Sequence, residues 1–572
     1  MAYVPEESFS AEGGVRGDTG TFIISRFFTD EFETWRVNII IENNAVSPPQ
    51  ELWNQSIWLH PTAREANDRM SRQPLEPSTG SASSLRQIRA WMDDCDKNHA
   101  SCSRRNNANR MTPTRLVAIF LDHERIVQSS SLKEDPDKPL RYATLSHCWG
   151  KIPMFTLQHA NIAEMQTRIP RGKLTKTFLD AIDATRRLGL KYIWIDSLCI
   201  VQDDTVDWSH EAELMSDIYS GSSLTIAATS AQDGTVGCYR TRNPDAVTAQ
   251  ALTLSNASGE SQSFDVYNFD MYSQGVLSSP LISRGWVLQE RFLSPRTVHF
   301  TANQLFWECG ERFACESFTD EIPAPLATRH AWFRKRWDNP NVWTDTVRQY
   351  SRCLLTHDGD KLIAMQGVAR CLMERMKCGY VYGLWERDME NQLLWRVKGG
   401  RAEYYCLSGR DVPPSWSWAS LNGQVEWPLW GGVELGNSLL VSKIIGYGNS
   451  GGRMTLRLRS KPGLRRLDLE DILDKSDIHE KVSLMLYHDC EASNGDAGTS
   501  SEELDRVWAL PLTVRAPRRG NECFAAGLIV KERSDGVFSR AGMFLVSDAA
   551  PRFTSASPVL LVGEVETTFE II

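Results

Sequence analysis

The sequence predicts an α/β domain with a largely parallel sheet and flanking helices, then a helical segment and an all-β C-terminal domain. Three observations lead there. Between about residues 140 and 310, β-like runs alternate with segments of helical period; from about 325 to 400 the helical period dominates. After Pro413 the chain breaks into short alternating runs, among them RMTLRLRS, VSLMLYH and VWALPLTV, separated by Gly, Asp, Asn and Ser clusters. With 572 residues the chain exceeds what one core usually serves. The expected divisions are an irregular region over 1–84, the α/β domain over 85–310, the helical segment over 311–411 and the all-β domain over 412–572.

In chain order, RQPLEPSTGSASS reads as a linker or surface loop. The next segment has helical spacing at Leu85, Ile88, Trp91 and Met92 and runs on to Cys95, His99 and Cys102. RYATLSHCWG reads as a strand ending by Gly150. Leu174, Phe178, Ala181, Ile182, Thr185 and Leu188 line one face of a helix that stops at Gly189, and KYIWID follows as a buried strand. A second helix is expected after Asp207 as N-cap, with Trp208, Ala212, Met215 and Tyr219 on its apolar face. SSLTIAATS is a further strand, and SPRTVHFT and QLFWEC form a strand pair joined by a short turn.

Charge and composition exclude several classes. The 63 Lys and Arg against 72 Asp and Glu give a formal charge of −9, and no basic stripe with interleaved aromatics marks a nucleic-acid partner. The N-terminal MAYVPEESFSAEGG has neither a basic nor an apolar signal region, and no run is long enough to span a bilayer, so a cytoplasmic location is expected. The 13 scattered cysteines fit reduced thiols better than a disulfide framework. GYGNSG carries three glycines at dinucleotide spacing, but a strand pattern follows it where a helix N-terminus is required, so it reads as a hairpin turn. Cys95, His99 and Cys102 match no common zinc module and lack an evident fourth ligand, so helix packing is expected and no metal site is assigned.

The chemistry-bearing residues gather at the ends of two proposed strands. Ser146, His147, Cys148 and Trp149 follow one; Asp196, Ser197 and Cys199 follow the other. In open α/β sheets ligands bind outside the carboxyl ends of parallel strands, so parallel neighbours would bring these groups to one crevice. Cys199 with His147 as base meets the recipe for a thiol nucleophile, against which stands a buried inert cysteine. Glu211 and Glu290 both project from apolar helix faces, where a carboxyl is paired, protonated or set in a cavity; ion pairing with Arg284, or with Arg291 for Glu290, is the plain structural alternative. The candidate catalytic residues are therefore Asp196, Cys199, Glu211, His147 and Glu290. The candidate substrate-binding residues are Ser146, Trp149, Gln202, Arg284 and Trp286. No cofactor is specified.

YATLSHCWG, the long block from LGLKYIWIDSLCIVQDD to AQDGTVGC, and RGWVLQERFLSPRTVHFTANQLFWEC resemble, in order and spacing, the three blocks of the heterokaryon-incompatibility (HET) domain of filamentous fungi. The later YSRCLLTHDGDKLIAMQGVAR and PPSWSWASLNG resemble the downstream region of many such proteins. The resemblance implies a protein of non-self recognition and programmed cell death. HET domains are in turn distantly similar to TIR domains, which implies a flavodoxin-like fold and, in some cases, NAD cleavage by a helix-borne glutamate. The TIR glutamate lies in a Trp-Cys-x-x-Glu context after a strand, whereas here SSLTIAATS continues as AQDGTVGCYRTRNP without Glu, so Glu211 or Glu290 would have to serve. Two other readings stand beside this one: an enzyme of secondary, small-molecule metabolism using the crevice near Asp196 and Cys199, and a non-catalytic interaction module. The expected partners are a small molecule or nucleotide, or other proteins.

Overall fold

The structure, a computed structural model, describes residues 75–105, 112–132, 140–255, 261–323, 342–355, 358–398 and 413–427, and outside these chiefly the strands named below. The chain forms two compact units, Met1–Arg336 and Trp337–Ile572. Among the described residues no helix is long and apolar enough to cross a membrane.

The first unit centres on an eight-stranded mixed sheet. Its strands in chain order are β1 (Arg115–Ile119), β2 (Glu124–Gln128), β3 (Ala143–Ser146), β4 (Tyr192–Trp194), β5 (Leu224–Ala227), β6 (Arg296–Phe300), β7 (Leu305–Cys309) and β8 (Phe313–Cys315), and across the sheet they run β8-β7-β6-β5-β3-β4-β1-β2. The four central strands are parallel, with Ala143 opposite Ile193, Thr144 opposite Thr225 and Thr297 opposite Thr225. Antiparallel hairpins close both edges. Every residue of β3 and β5 is buried, as a strand covered on both faces requires. Inside this core the Thr144 and Thr225 hydroxyls bond at 2.7 Å, and Thr225 bonds Ser294 at 2.6 Å, so the buried hydroxyls satisfy one another.

Helices follow from capping and periodicity. Helix α1 (Ala82–Asn98) starts at Ser81, whose hydroxyl accepts from the Ser84 N–H, and buries Leu85, Ile88, Trp91 and Met92; a short α2 (Ala100–Arg105) follows. Helix α3 (Lys176–Arg187) buries Phe178, Ala181, Ile182 and Thr185 as expected. It ends in a Schellman motif, with Leu190 N–H donating to Thr185 O and Gly189 N–H to Arg186 O. Gly189 has a φ of 83°, the left-handed conformation that this cap requires. KYIWID divides: β4 ends at Trp194, and Asp196 opens a one-turn helix, α4 (Asp196–Cys199). Helices α5 (Thr205–Gly221) and α6 (Gly285–Leu293) pack on each other.

The start of α5 corrects the expected cap. Asp204, not Asp207, accepts from the N–H groups of Val206 and Asp207. Asp207 lies in the first turn and binds Arg115 instead, at 2.6 Å. Trp208 is correspondingly 41% exposed, so the buried face begins at Glu211 and continues through Met215, Ile218 and Tyr219. Asp204→Ala is expected to destabilise the unit by about 1 kcal/mol, the usual worth of an N-cap, in denaturant titration. Asp207→Ala is expected to cost more, because it leaves the buried Arg115 short of a partner.

Residues 13–61, expected to be irregular, supply four strands: Gly13–Val15, Asp18–Phe28, Glu33–Asn43 and Gln50–Pro61. They join Ser261–Asn268 and Gln250–Ser255, inserted between β5 and α6, in a six-stranded antiparallel sheet. Their runs FIISRFF and WRVNIII hold the β-branched and aromatic residues that favour strands.

In the second unit, helices Val342–Tyr350 and Ile363–Met376 precede an eight-stranded sheet. Its strands are Ser438–Leu440, Ser442–Ser450, Arg453–Ser460, Val482–His488, Val507–Arg515, Cys523–Glu532, Phe538–Asp548 and Thr567–Ile571. Gly446–Ser450 of GYGNSG is the end of a strand hairpinned to Arg453–Ser460, with a register shift at Ile444/Gly446; Gly451 lies outside the described residues. Gly446 and Gly448 therefore lie in a strand, and the element after the turn is a strand and not a helix.

Candidate functional site

The carboxyl ends of β3 and β4 lie side by side, and the groups expected there meet. The His147 ring is buried, packs edge-on against Phe178 with ring centroids 5.1 Å apart, and has Nε2 3.8 Å from Asp196 Oδ1. Trp149 Nε1 donates to Asp196 Oδ2 at 2.8 Å, while Ser197 N–H holds Oδ1 at 2.6 Å. The chain swings away from β3 through Gly150 at φ 68°, where a Cβ would come within 2.5 Å of Asp233 Cβ. Gln202 clamps the end of α4 by donating to the carbonyls of Asp196 and Ile200. Arg284, the residue before α6, donates to the His147 carbonyl and so bridges β3 to α6.

Glu290 comes to this crevice from α6. It is buried, and burial lifts its carboxyl to about 7 against the opposing pull of Arg284 and of the Ser146 and Tyr219 hydroxyls. Its Oε2 has no hydrogen-bond partner. A carboxyl poised near neutrality can act as acid or base, and its charge is held in place by groups from β3, α5 and α6. Burial pushes the neighbouring His147 imidazole down, toward the neutral form. Trp286, half-buried, sits in the first turn of the same helix.

Glu211 and Cys199 occupy a separate environment on the outer side of β4, against the start of β1. Burial raises the Glu211 carboxyl, with Thr114 and Arg115, 3.7 Å away, pulling the other way. Arg115 is already engaged by Asp207 and by the Cys199 carbonyl, at 2.6 Å each. Burial pushes the Cys199 thiol up to about 12, which suppresses its thiolate at neutral pH. Among the described residues no hydrogen bond joins Cys199 to His147, so the thiol–imidazole pair is not formed here. Cys199→Ser is therefore expected to leave activity within a few-fold of the parent and to show mainly a modest shift in melting temperature.

Sequence reasoning missed Tyr219, read only as an apolar-face residue, and Arg115. A signal for Tyr219 was present in its four-residue spacing from Met215 on a helix carrying a buried carboxylate, but its position over Leu145, whose carbonyl accepts from its hydroxyl at 3.3 Å, depends on the crossover. A cavity lies elsewhere in the unit. About 490 Å³ in volume, it opens beyond the carboxyl ends of β5 and β6 beside the inserted hairpin, with Ser230, Ser279, Thr301 and Gln304 in its wall. The hydroxyls of Ser230 and Ser279 are buried there without a hydrogen-bond partner.

The absent fourth ligand for Cys95, His99 and Cys102 is present in the fold. Cys309, at the end of β7, joins them, and the four ligand atoms all lie within 4.8 Å of one another. The break between α1 and α2 explains why spacing hid this. On one straight helix, Cys95 and Cys102 would be about 10 Å apart along the axis.

The model of the family described as "Heterokaryon incompatibility protein (HET)" matches residues 142–290, about a quarter of the chain. The match begins one residue before β3 and ends at Glu290, so it takes in the parallel strands β3, β4 and β5 together with Glu211 and Glu290. No curated protein and no solved structure matches the chain.

Proposed function

We propose that this chain, through the HET domain at residues 142–290, is an effector of non-self recognition that acts by cleaving the glycosidic bond of a nucleotide such as NAD. The family match supports a role related to heterokaryon incompatibility. The distant similarity of HET domains to TIR domains directs the choice of nucleotide. One observation carries the chemistry: Glu290, buried at the carboxyl end of β3 and raised to about 7, with an unpartnered oxygen and with Arg284 beside it.

Hydrolysis of NAD to ADP-ribose and nicotinamide passes through positive charge at the ribose anomeric carbon. An ionised carboxylate fixed at that carbon stabilises the charge where it develops. Glu290 takes that role; Arg284 faces the pyrophosphate, and Trp149, held by Asp196, offers its ring to a base. His147, kept neutral by burial, stays available as a hydrogen-bonding group. Glu211 already faces Arg115 and is assigned a structural role.

The test is nicotinamide release from NAD by the purified full chain, run beside cell death on expression in a filamentous host. Glu290→Gln is expected to abolish both, and Glu211→Gln to lower stability more than turnover. A chain that kills while leaving NAD intact overturns the chemical part. Full effect with both variants leaves the non-catalytic interaction module. The 490 Å³ cavity favours one other reading, an enzyme or receptor for a small molecule of secondary metabolism. In that case a Thr301→Trp variant, which fills the cavity, removes the effect while Glu290→Gln preserves it.

A further inference from the structure

We propose that Cys95, His99, Cys102 and Cys309 form a tetrahedral structural zinc site, separate from both the carboxyl cluster and the cavity. Cys95 lies in the last turn of α1, His99 is the residue on which that helix breaks, with φ −99° and ψ 95°, and Cys102 lies in α2. The break folds three ligands round one point, and Cys309 brings the fourth from the far end of β7. All four are buried, and none of the three cysteines is in a disulfide.

The geometry fits the ion closely. Zinc bound to sulfur at about 2.3 Å and to nitrogen at about 2.0 Å spaces its ligand atoms about 3.5–3.8 Å apart. His99 Nδ1 is 3.3 Å from Cys309 Sγ, and the widest separation in the set does not exceed 4.8 Å, so a contraction of about 1 Å closes the site. With four buried protein ligands the tetrahedral shell is complete, which marks a structural and not a catalytic centre. Thiolate and imidazole ligands select zinc over calcium and magnesium.

The surrounding groups match what such a centre needs. His99 Nε2 lies 3.7 Å from Asp94 Oδ2, which turns Nδ1 toward the sulfurs in a carboxylate–histidine–metal arrangement; Asp94 is itself anchored by Arg312 at 2.9 Å and Asn98 at 2.6 Å. Arg312 N–H donates to Cys309 Sγ at 3.2 Å, and Arg296 Nε to Cys95 Sγ at 3.1 Å. Three thiolates and a neutral imidazole around a divalent ion leave one net negative charge, which the buried Arg296 guanidinium offsets. Gly310 permits the approach, since a Cβ there would stand 3.1 Å from Cys102 Sγ and 2.8 Å from Ser101 Oγ. The ion would pin α1 and α2 to the β7–β8 hairpin at the sheet edge, closing a loop of more than two hundred residues.

Elemental analysis of the full chain, purified under reducing conditions without chelator, is expected to find about one zinc per chain. That content is expected to fall to near zero in Cys102→Ser and in Cys309→Ser. Because loss of a ligand also threatens the fold, cobalt(II) is exchanged into the unaltered protein as well, where strong tetrahedral d–d bands with thiolate-to-cobalt charge transfer are expected. Folded, reduced protein that carries no zinc and takes up none from added zinc chloride overturns the proposal. So does an equivalent of iron in place of zinc, or a zinc content unchanged in both serine variants.

Discussion

Glu290→Gln is expected to remove NAD cleavage and, in the same protein, to raise stability at alkaline pH. The sign follows from the carboxyl's displacement on folding. An exposed glutamate titrates near 4.5, whereas burial lifts Glu290 to about 7. Between those values the folded chain holds the proton more firmly than the unfolded one. Stability that is fully present below 4.5 is therefore lost as the pH rises through 7. The cost above 7 is about 3 kcal/mol, from 1.36 kcal/mol per pH unit over that interval. An amide of nearly the same volume is neutral throughout and does not incur it. Urea titrations of parent and variant should coincide near pH 4.5 and separate by about 3 kcal/mol in the variant's favour at pH 8.5. Turnover in the parent should rise through pH 7 as the carboxylate forms, and the variant should lose a factor of about 10²–10³, as when one electrostatic stabiliser is removed. A variant less stable at every pH would make Glu290 a structural partner of Arg284, and the proposed role would fall.

The legible parts of this fold were those with a local cause. Helix α3 was legible because apolar residues at helical spacing and a terminal glycine each point to it, although Leu174 and Leu188, read on its face, fall just outside Lys176–Arg187. The adjacency of β3 and β4 followed because consecutive strands joined by a helical crossover usually pair as parallel neighbours. That adjacency put Asp196 beside His147 and Trp149, and it placed the crevice. Local signals competed at the start of α5, where Asp204 and Asp207 both cap well and only Arg115, from β1, decides which does. The metal-ligand set was illegible for a different reason: its spacing looked helical, and its fourth member comes from the other end of the domain. The same distance hid the relation of Glu290 to Ser146 and Tyr219, three residues of three elements, although Glu290 and Ser146 each stood out as candidates. The strands of residues 13–61 carry their signal in FIISRFF and WRVNIII, whose β-branched and aromatic residues favour strands despite the Pro- and Ser-containing stretch that follows them.

Arg291→Met is expected to destabilise the first unit by about 3–5 kcal/mol, the usual effect of stripping one partner from a buried ion pair. Arg291 follows Glu290 on α6 and is itself buried; its Nε donates to Glu308 Oε2 on β7 at 2.8 Å. The Tyr272 hydroxyl also donates to Glu308, and His299 Nε2 lies 3.3 Å from it. Burial works against the charge on Glu308, yet Arg291 and then His299 outweigh it and hold the carboxyl well below its usual range. The pH dependence is therefore opposite to that of Glu290: this pair's stability is present above about 4.5 and is lost as the pH falls through the depressed value. Removing the arginine leaves Glu308 buried with an uncompensated charge. Its carboxyl should then titrate much higher, and the variant should lose most stability at neutral and alkaline pH and least in acid. A second substitution, Glu308→Met, removes that orphaned charge. The double variant should recover most of the loss, because two apolar side chains of similar volume need no solvent to replace. Denaturant titration of the parent, both single variants and the double variant gives the coupling energy directly. Additive losses with no recovery would show that the guanidinium acts through packing against Tyr272, 5.9 Å from its ring centre, and not through its charge.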